Sequence, residues 1–446
     1  MRVCLIIPPS SFLLDDRVFV SLGILRVGAV LLERGVEVDL LDLSGNKNYV
    51  KEISRYDREA VFGITATTPQ LQSAVAISRL LRGRGKVILG GPHVSLVNAA
   101  HKKIGSRATR ALNELHDEFD VLVAGDGEEA IWPALTGSGL IDADIPRGDL
   151  FLTSKHLNEL PLPARHLADM DTYHYQIDGE RATSLIAQLG CPFECGFCGG
   201  RSSSFLRQIR TRTSERVIDE LRHLYTTYGY KGFMFQDDEM NVNKNVLSLM
   251  RLMVGLQEEL GVKFSCRGFL KAELVTEEQA EAMARAGFKQ VLVGFESGSP
   301  RILKNIKKHA TQEENTRCIE ICRKYGLKVK ALMSIGHPGE SRETVQETRD
   351  WLKAVRPDDF DVTIITVYPG TSYYDEAVET SEGWTYTVNG DRLHSEEVDC
   401  RVVNSYYKGA PDAYNCFVHT DYLDSKEIVR LRYETETMFG KVIPYR

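Results

Sequence analysis

The feature that most constrains this chain is an alternation, run twice, between short apolar segments of strand length and longer segments whose apolar residues recur at helical spacing. In the first run RVCLIIP (2–8) precedes SLGILRVGAVLLERG (21–35). VEVDLLDL, AVFGITATT, a helical stretch at about 70–83, KVILGGPHVS and FDVLVAGDGEEA follow. Buried strands joined by helices form a parallel sheet covered on both faces, and ligands bind beyond the carboxyl ends of its strands. The loop-forming tips at those ends are 65–68, 90–95 and 125–128. Residues 1–145 are therefore expected to form a Rossmann-like, doubly wound domain.

From Asp142 the alternation lapses into DADIPRGDL, ELPLPARHL and DMDTYHYQIDG, where proline and polar turns interrupt every apolar run. Residues 146–180 read as a linker. Alternation resumes at Thr183 and continues to FDVTIITVYPG, giving six strands with helices between them. That pattern fits a (β/α)6 partial barrel over 181–375. The remainder, 376–446, carries one good helix, SKEIVRLRYETETMFG, and reads as a small cap. No fixed-period repeat is present, which excludes a solenoid.

Hydrophobic residues are 43% and charged residues 26% of the 446, the balance of a globular chain with a real core. No apolar run approaches the roughly 18 residues of a membrane span, and MRVCLIIPPSS is too short for a signal peptide, so a cytoplasmic protein is expected. Lys and Arg number 55 against 62 Asp and Glu, a net charge of -7, which argues against broad nucleic-acid binding and for a small substrate.

Nine cysteines in such a chain are informative through spacing rather than as disulfides. Cys191, Cys195 and Cys198 form the one tight group, directly after the first strand of the second run. Three thiolates this close on a loop can hold three corners of an iron–sulfur cube, and the loop supplies no fourth protein ligand. Two alternatives stand beside that reading. A zinc knuckle would need a fourth ligand, for which His223 is the next candidate, and a redox pair of Cys195 and Cys198 would leave Cys191 without a role. Cys4, Cys318 and Cys322 sit in apolar surroundings and read as core, and Cys400 and Cys416 are isolated. Five arginines between Arg201 and Arg216 suggest phosphate or carboxylate contacts, or a solvated helix entry.

The C-x3-C-x2-C spacing after a first barrel strand resembles the signature of the radical S-adenosylmethionine (radical SAM) superfamily. The resemblance continues through FQDDE (235–239), GFESGS (294–299), GHPGE (336–340) and PGT (369–371), covering 183–375. It implies a 4Fe-4S cluster on the three cysteines, with S-adenosylmethionine chelated at the open iron. Phe197 would then face adenine. Asp237 or Asp238 would accept from the methionine ammonium, Arg267 would fork onto its carboxylate and Glu296 would receive the ribose hydroxyls. Helix capping by the aspartates and ion pairing of Glu296 are the plain alternatives. Gly336 and Gly339 are expected to let backbone approach a ligand. Cys266, at a strand end, is a candidate hydrogen donor, with an inert buried thiol as the alternative. An external one-electron reductant such as flavodoxin or ferredoxin is implied as partner.

The N-terminal domain is similar to the one preceding the barrel in the cobalamin-binding branch of that superfamily, through SLGILRVGAVLLERG, ILGGPHVS and AGDGEE. The resemblance implies that Gly90 and Gly91, with Gly125 at the next tip, line the nucleotide tail of cobalamin. It also implies that cobalt lacks a histidine below it. His93 itself reads as a loop-end hydrogen-bonding residue, with a cobalt ligand as the alternative. One departure is the helical stretch LVNAAHKKIGSRATRALNELHDE (96–118), long enough to fill the tail pocket. The implied activity is cobalamin-dependent methylation of an unactivated carbon of a specialised metabolite. The alternative is a non-methylating dehydratase, epimerase or cyclase whose cobalamin domain is empty. A transfer-RNA methylthiotransferase would carry three extra N-terminal cluster cysteines, where this chain has Cys4 alone.

Overall fold

β1 (Arg2–Ile7), β2 (Glu37–Asp42), β3 (Val61–Thr65), β4 (Lys86–Gly90), β5 (Val121–Gly125) and β6 (Gly139–Ala143) form one parallel sheet in the order β2-β1-β3-β4-β5-β6. Its residues are apolar on both faces because both are covered. Val3, Leu5, Ile88 and Val123 pack beneath helices Leu22–Glu33 and Gly127–Thr136. Cys4, Ile6, Phe62 and Leu122 pack beneath Leu71–Leu81 and Ser106–His116. The strand order reverses between β1 and β3, which opens a crevice above that edge. This computed structural model describes all residues except 11, 12, 14, 47, 55–60, 104, 382, 404–413 and 442–446.

The helical stretch that departs from the resembled pattern, 96–118, splits into Pro92–Lys102 and Ser106–His116. Leu112 and Leu115 lie on the sheet face opposite the crevice's wall residues Leu5, Ile88 and Val123, so the second helix does not fill it. Instead it docks the other domains. The guanidinium of Arg107 lies between the rings of Tyr374 and Trp384, 3.8 and 4.4 Å from their centroids, and its Nε donates to Glu397 at 2.7 Å.

The expected linker is tied down. Arg165 is fully buried, pairing with Glu220 at 2.7 Å and donating to the Ser184 carbonyl at 2.8 Å. Gln176–Ile177 forms a hairpin with the first barrel strand, Glu180–Leu185. The five further strands are Gly232–Phe235, Ser265–Leu270, Phe288–Glu296, Lys328–Ile335 and Asp359–Ile364, all parallel and hydrogen-bonded in chain order. This is the (β/α)6 partial barrel. Met234, Phe269, Leu292 and Leu332 cluster on one surface of the sheet, while Phe233, Cys266, Val291 and Val329 pack in the helix layer on the other.

The cap is a four-stranded antiparallel sheet of Val378–Thr380, Gly383–Val388, Asp391–Ser395 and Val418–Thr420. The helix expected there, Ser425–Glu436, covers the sixth barrel strand, with Arg432 Nε donating to the Val362 carbonyl at 2.8 Å.

Candidate active site

The cysteine loop is held at its neck. After the first barrel strand, Gln188–Leu189 pairs antiparallel with Arg210–Thr211, closing 190–209 into a stalked loop. At the neck Gly190 has φ +86°, and a Cβ there would lie 2.2 Å from the Gln208 carbonyl oxygen, so only glycine fits. The loop is pinned further by Cys191 N to Leu206 O at 2.9 Å, Gly196 N to Ile306 O at 2.8 Å and Ser372 N to Gly196 O at 3.0 Å. Phe197 packs on Ile302, Leu303 and Ile306, and its edge meets the His337 ring, with centroids 5.4 Å apart.

All three thiols are free. Burial pushes Cys191 up to about 12 and Cys198 to about 11, and it raises Cys195 as well. Cys198 is the exposed one of the three. Each thiol is also raised by the charge of another loop cysteine or of a nearby acid, the sign of a shared site that a multivalent cation would reverse. Among the described residues no three His, Cys, Asp or Glu side chains are drawn into a cage for one ion.

Acids and bases surround the loop. Asp237 Oδ1 accepts from Ala187 N at 2.7 Å, while its Oδ2 is buried with no partner, and burial pushes the carboxyl up to about 7. Asp238 is exposed, and its charge is felt by Cys191 and Cys198. Glu239, also raised to about 7 by burial, has an unpartnered Oε2. Glu296 sits at a bulge with φ +65° and accepts from Lys308 Nζ at 3.3 Å and Ser334 Oγ at 2.8 Å. Both lone ends of the expected ribose acceptor are thus engaged inside the barrel.

Two residues that the sequence reading passed over enter here. Lys271, fully buried one step beyond the third strand, donates to the Lys308 carbonyl at 2.9 Å, pairs with Glu273 at 2.8 Å and lies 4.6 Å from the centroid of the Phe193 ring. Lys308 is buried too, and the positive charges of both act on Cys195. The rule that picked Asp237 and Asp238 from the tip of the second strand, applied to the third, selects Lys271. Behind them His337 bonds Ser334 Oγ through Nε2 at 2.7 Å and the Tyr373 hydroxyl through Nδ1 at 3.1 Å. Burial lowers it to about 3, so it is neutral. Ser334 gives its proton to Glu296, which makes Nε2 the donor and Nδ1 the acceptor from Tyr373.

Three expectations are corrected. Arg267 lies mid-strand, bonded to the Tyr175 hydroxyl of the linker and facing Asp359 and Asp361 at the start of the sixth strand, away from the cysteine loop. Cys266 is fully buried in the helix layer, because its neighbours Arg267 and Phe269 occupy the opposite face of the strand. Gly336 and Gly339 accommodate protein rather than ligand: a Cβ would lie 3.3 Å from Val418 of the cap and 2.5 Å from Asp391 Oδ2 respectively. The arginine run is also consumed internally. Arg210 pairs with Asp126 at 2.5 Å and Arg212 with Glu220 at 2.5 Å, while Arg216 donates to the Leu160 carbonyl.

Beside the loop lies the crevice, a cavity of about 360 Å³ lined by Gly63, Thr65, Gly90, Gly91, Gly125 and, from the barrel, Leu189. Gly91 has φ +100° and a Cβ there would fall 2.9 Å from the Ala66 backbone. The Cβ of Gly125 would instead strike Ala143, so that glycine serves the β5–β6 packing as well as the cavity wall. His93 stays in its own loop, 3.0 Å from Thr68 Oγ1, and burial lowers it to about 4.

Residues 185–352 match the family model of the radical SAM superfamily. An uncharacterised methyltransferase of Pyrococcus horikoshii is 29% identical over 85% of this chain and 83% of its own length. The bacteriochlorophyllide d C-12(1)-methyltransferase of Chlorobaculum tepidum is 25% identical over 82% and 76%. Among solved structures, the radical S-adenosylmethionine methyltransferase TsrM of Kitasatospora setae superposes with a TM-score of 0.68 at 17% identity, over 97% of this chain and 88% of that one. The cysteine loop and the matched sequence together identify residues 185–352 as a radical SAM domain.

Proposed function

We propose that this radical SAM enzyme methylates an unactivated carbon of a small organic substrate, with cobalamin held by the N-terminal domain as the methyl carrier. The observation that carries the reading is the adjacency of two sites. The wall of the crevice includes Leu189, two residues before Cys191, so whatever occupies the crevice lies against the cluster loop. The crevice is lined by apolar side chains and bare glycine backbone, with Ser21, Arg26, Thr65, Thr67, Gln70, Asp126 and Glu128 as its polar groups, a wall suited to a large flat heterocycle with a polar tail. TsrM, whose fold this chain shares, has been solved with cobalamin and a 4Fe-4S cluster bound.

When bound, the cluster with S-adenosylmethionine supplies a radical able to take hydrogen from carbon, and cobalamin supplies the methyl group. The chain's own residues do the rest. Cys191, Cys195 and Cys198 would hold the cluster through one thiolate each. Asp238, Glu239 and the free Oδ2 of Asp237 offer acceptors for an ammonium, and Lys271 and Lys308 give the positive charge for a carboxylate that Arg267 cannot reach. Glu296, oriented by Ser334 and Lys308, keeps remaining lone pairs for ribose hydroxyls. Phe197 offers a ring face to adenine.

The test is the fate of S-adenosylmethionine after anaerobic reduction of cobalamin-loaded protein in a panel of candidate metabolites. Methylation requires both 5′-deoxyadenosine and S-adenosylhomocysteine to accumulate. Formation of 5′-deoxyadenosine alone, with full cobalamin occupancy and substrate turned over, would overturn the methyl-transfer reading in favour of dehydration or epimerisation.

A further inference from the structure

The fifth barrel strand, Lys328–Ile335, runs into Gly336, whose φ of +97° folds the chain back on itself. His337 comes next, and Pro338 after it confines the His337 backbone to extended conformations. The Glu340 amide donates to the His337 carbonyl at 2.9 Å, which closes the turn. The ring is thereby returned, fully buried, to Ser334 three residues earlier. Its two nitrogens are both bonded, and a count of protons fixes the direction of each bond. Ser334 Oγ spends its single proton on Glu296 Oε2 at 2.8 Å, so His337 Nε2 is the donor to Ser334 and Nδ1 the acceptor from Tyr373. Three donors in series, Tyr373, His337 and Ser334, therefore point at one carboxylate oxygen, and hydrogen bonds in such a chain strengthen one another. The same ring meets Phe197 at 63°, with centroids 5.4 Å apart. Tyr373, at the other end of the series, packs on the cluster loop, where a Cβ on Gly196 would lie 3.3 Å from its ring.

We propose that His337 is a positioning residue for S-adenosylmethionine, which aims the Glu296 carboxylate at the ribose hydroxyls and holds the Phe197 ring for adenine. The proposal rests on the radical SAM reading and on the roles given there to Glu296 and Phe197. A ring with no exposed surface offers a ligand no contact, so His337 acts through Ser334 and Phe197. Without it the Ser334 hydroxyl loses the donor that aims it and is free to rotate. Lys308 then remains on Glu296 at 3.3 Å, and an ammonium is a point charge that sets no orientation for a carboxylate. Space filling alone would require only a flat ring at this place. The two roles differ in what they ask of Nε2.

The test uses the anaerobically reconstituted full chain and its His337→Gln, His337→Asn and His337→Phe variants. Affinity for S-adenosylmethionine and for its 2′-deoxyribose and 3′-deoxyribose analogues is read by isothermal titration, with iron content checked in each protein. Glutamine puts an amide nitrogen where Nε2 stands, asparagine reaches only the place of Nδ1, and phenylalanine fills the volume with no donor. His337→Gln is expected to bind S-adenosylmethionine within about threefold of wild type, and the other two variants about tenfold more weakly, the scale of one hydrogen bond on a charged group. The wild-type preference for the intact ribose should fall to within about twofold in His337→Phe, because an unaimed carboxylate no longer reads the hydroxyls. Where His337→Phe does not fold, His337→Gln against His337→Asn gives the same comparison. Affinities in the reverse order, with phenylalanine nearest wild type, or a ribose preference unchanged in every variant, would overturn the positioning role and leave the radical SAM reading standing. A wild type with its full iron that does not bind S-adenosylmethionine would overturn that reading, and the proposal with it.

Discussion

The buried pair of Asp126 and Arg210 joins the tip of β5 to the far end of the cluster loop, and replacing Arg210 by methionine should unfasten the two domains. Arg210 donates to Asp126 at 2.5 Å, to the Leu152 carbonyl at 3.1 Å and to the Phe205 carbonyl at 2.9 Å, between the Phe151 and Phe205 rings. Both charged groups are about 2% exposed or less. Removing one partner of such a pair costs about 3 to 5 kcal/mol. The lower half of that range applies to Arg210→Met. Burial already raises the Asp126 carboxyl to about 7 against the pull of Arg210, so at neutral pH the orphaned acid takes a proton rather than staying charged. The residual loss lies in the two carbonyls left without donors, about 1 to 3 kcal/mol each. Asp126→Asn, which strands a guanidinium that cannot deprotonate, should cost more, about 4 kcal/mol. In the double variant neither charge remains and the amide still accepts from Leu152 N, so its loss should fall short of the sum of the singles by about 2 kcal/mol or more. Urea unfolding read by tryptophan fluorescence, with Trp132 on the helix that follows Asp126, measures all three. Losses that add to within about 0.5 kcal/mol would refute the coupling.

Other outcomes follow from the same structure. Gly91→Ala places a Cβ 2.8 Å from Thr65 Oγ1 at φ +100°, and should cost roughly 2 to 4 kcal/mol in urea midpoints while lowering cobalamin retention. His93 is held near 4 against an ordinary 6.5 by burial. Above pH 6.5 it is neutral folded or unfolded, and below it the unfolded chain binds the proton first, so the stability of the wild type falls with pH down to about 4. His93→Gln removes that dependence, so its stability relative to wild type should improve by about 1.4 kcal/mol between pH 7.5 and 5.5; an unchanged difference would count against a neutral buried imidazole. Cys266→Ala should leave iron content and S-adenosylmethionine cleavage intact, whereas Cys198→Ala should deplete iron; loss of cleavage in the Cys266 variant would restore that thiol as a candidate in the chemistry.

What was legible in the sequence was local. The C-x3-C-x2-C spacing, the alternation of strands and helices, and the glycines at strand ends each reveal themselves within a dozen residues. Arg267 and Cys266 were misplaced because the end of a strand does not tell which face a side chain takes or how far along the barrel it lies. That requires the register with Met234 and Gln290. Lys271 and Lys308 escaped notice because lysine is ordinarily solvated, and only the packed barrel shows them dry. β6 was missed because GLIDA is short, with every position but its last half-exposed. The cap sheet was missed because its strands are short and polar. The 96–118 stretch is a docking element, which sequence alone could not distinguish from a plug for the crevice.

The most direct test of the account is the iron and cobalamin content of the chain produced anaerobically with hydroxocobalamin and then desalted, with its visible spectrum. The account predicts about four irons and one cobalamin per chain, the cobalamin in a form without histidine below cobalt, since His93 is committed to Thr68. Four irons with no retained cobalamin would contradict the role given to the crevice, and little iron would contradict the assignment of Cys191, Cys195 and Cys198.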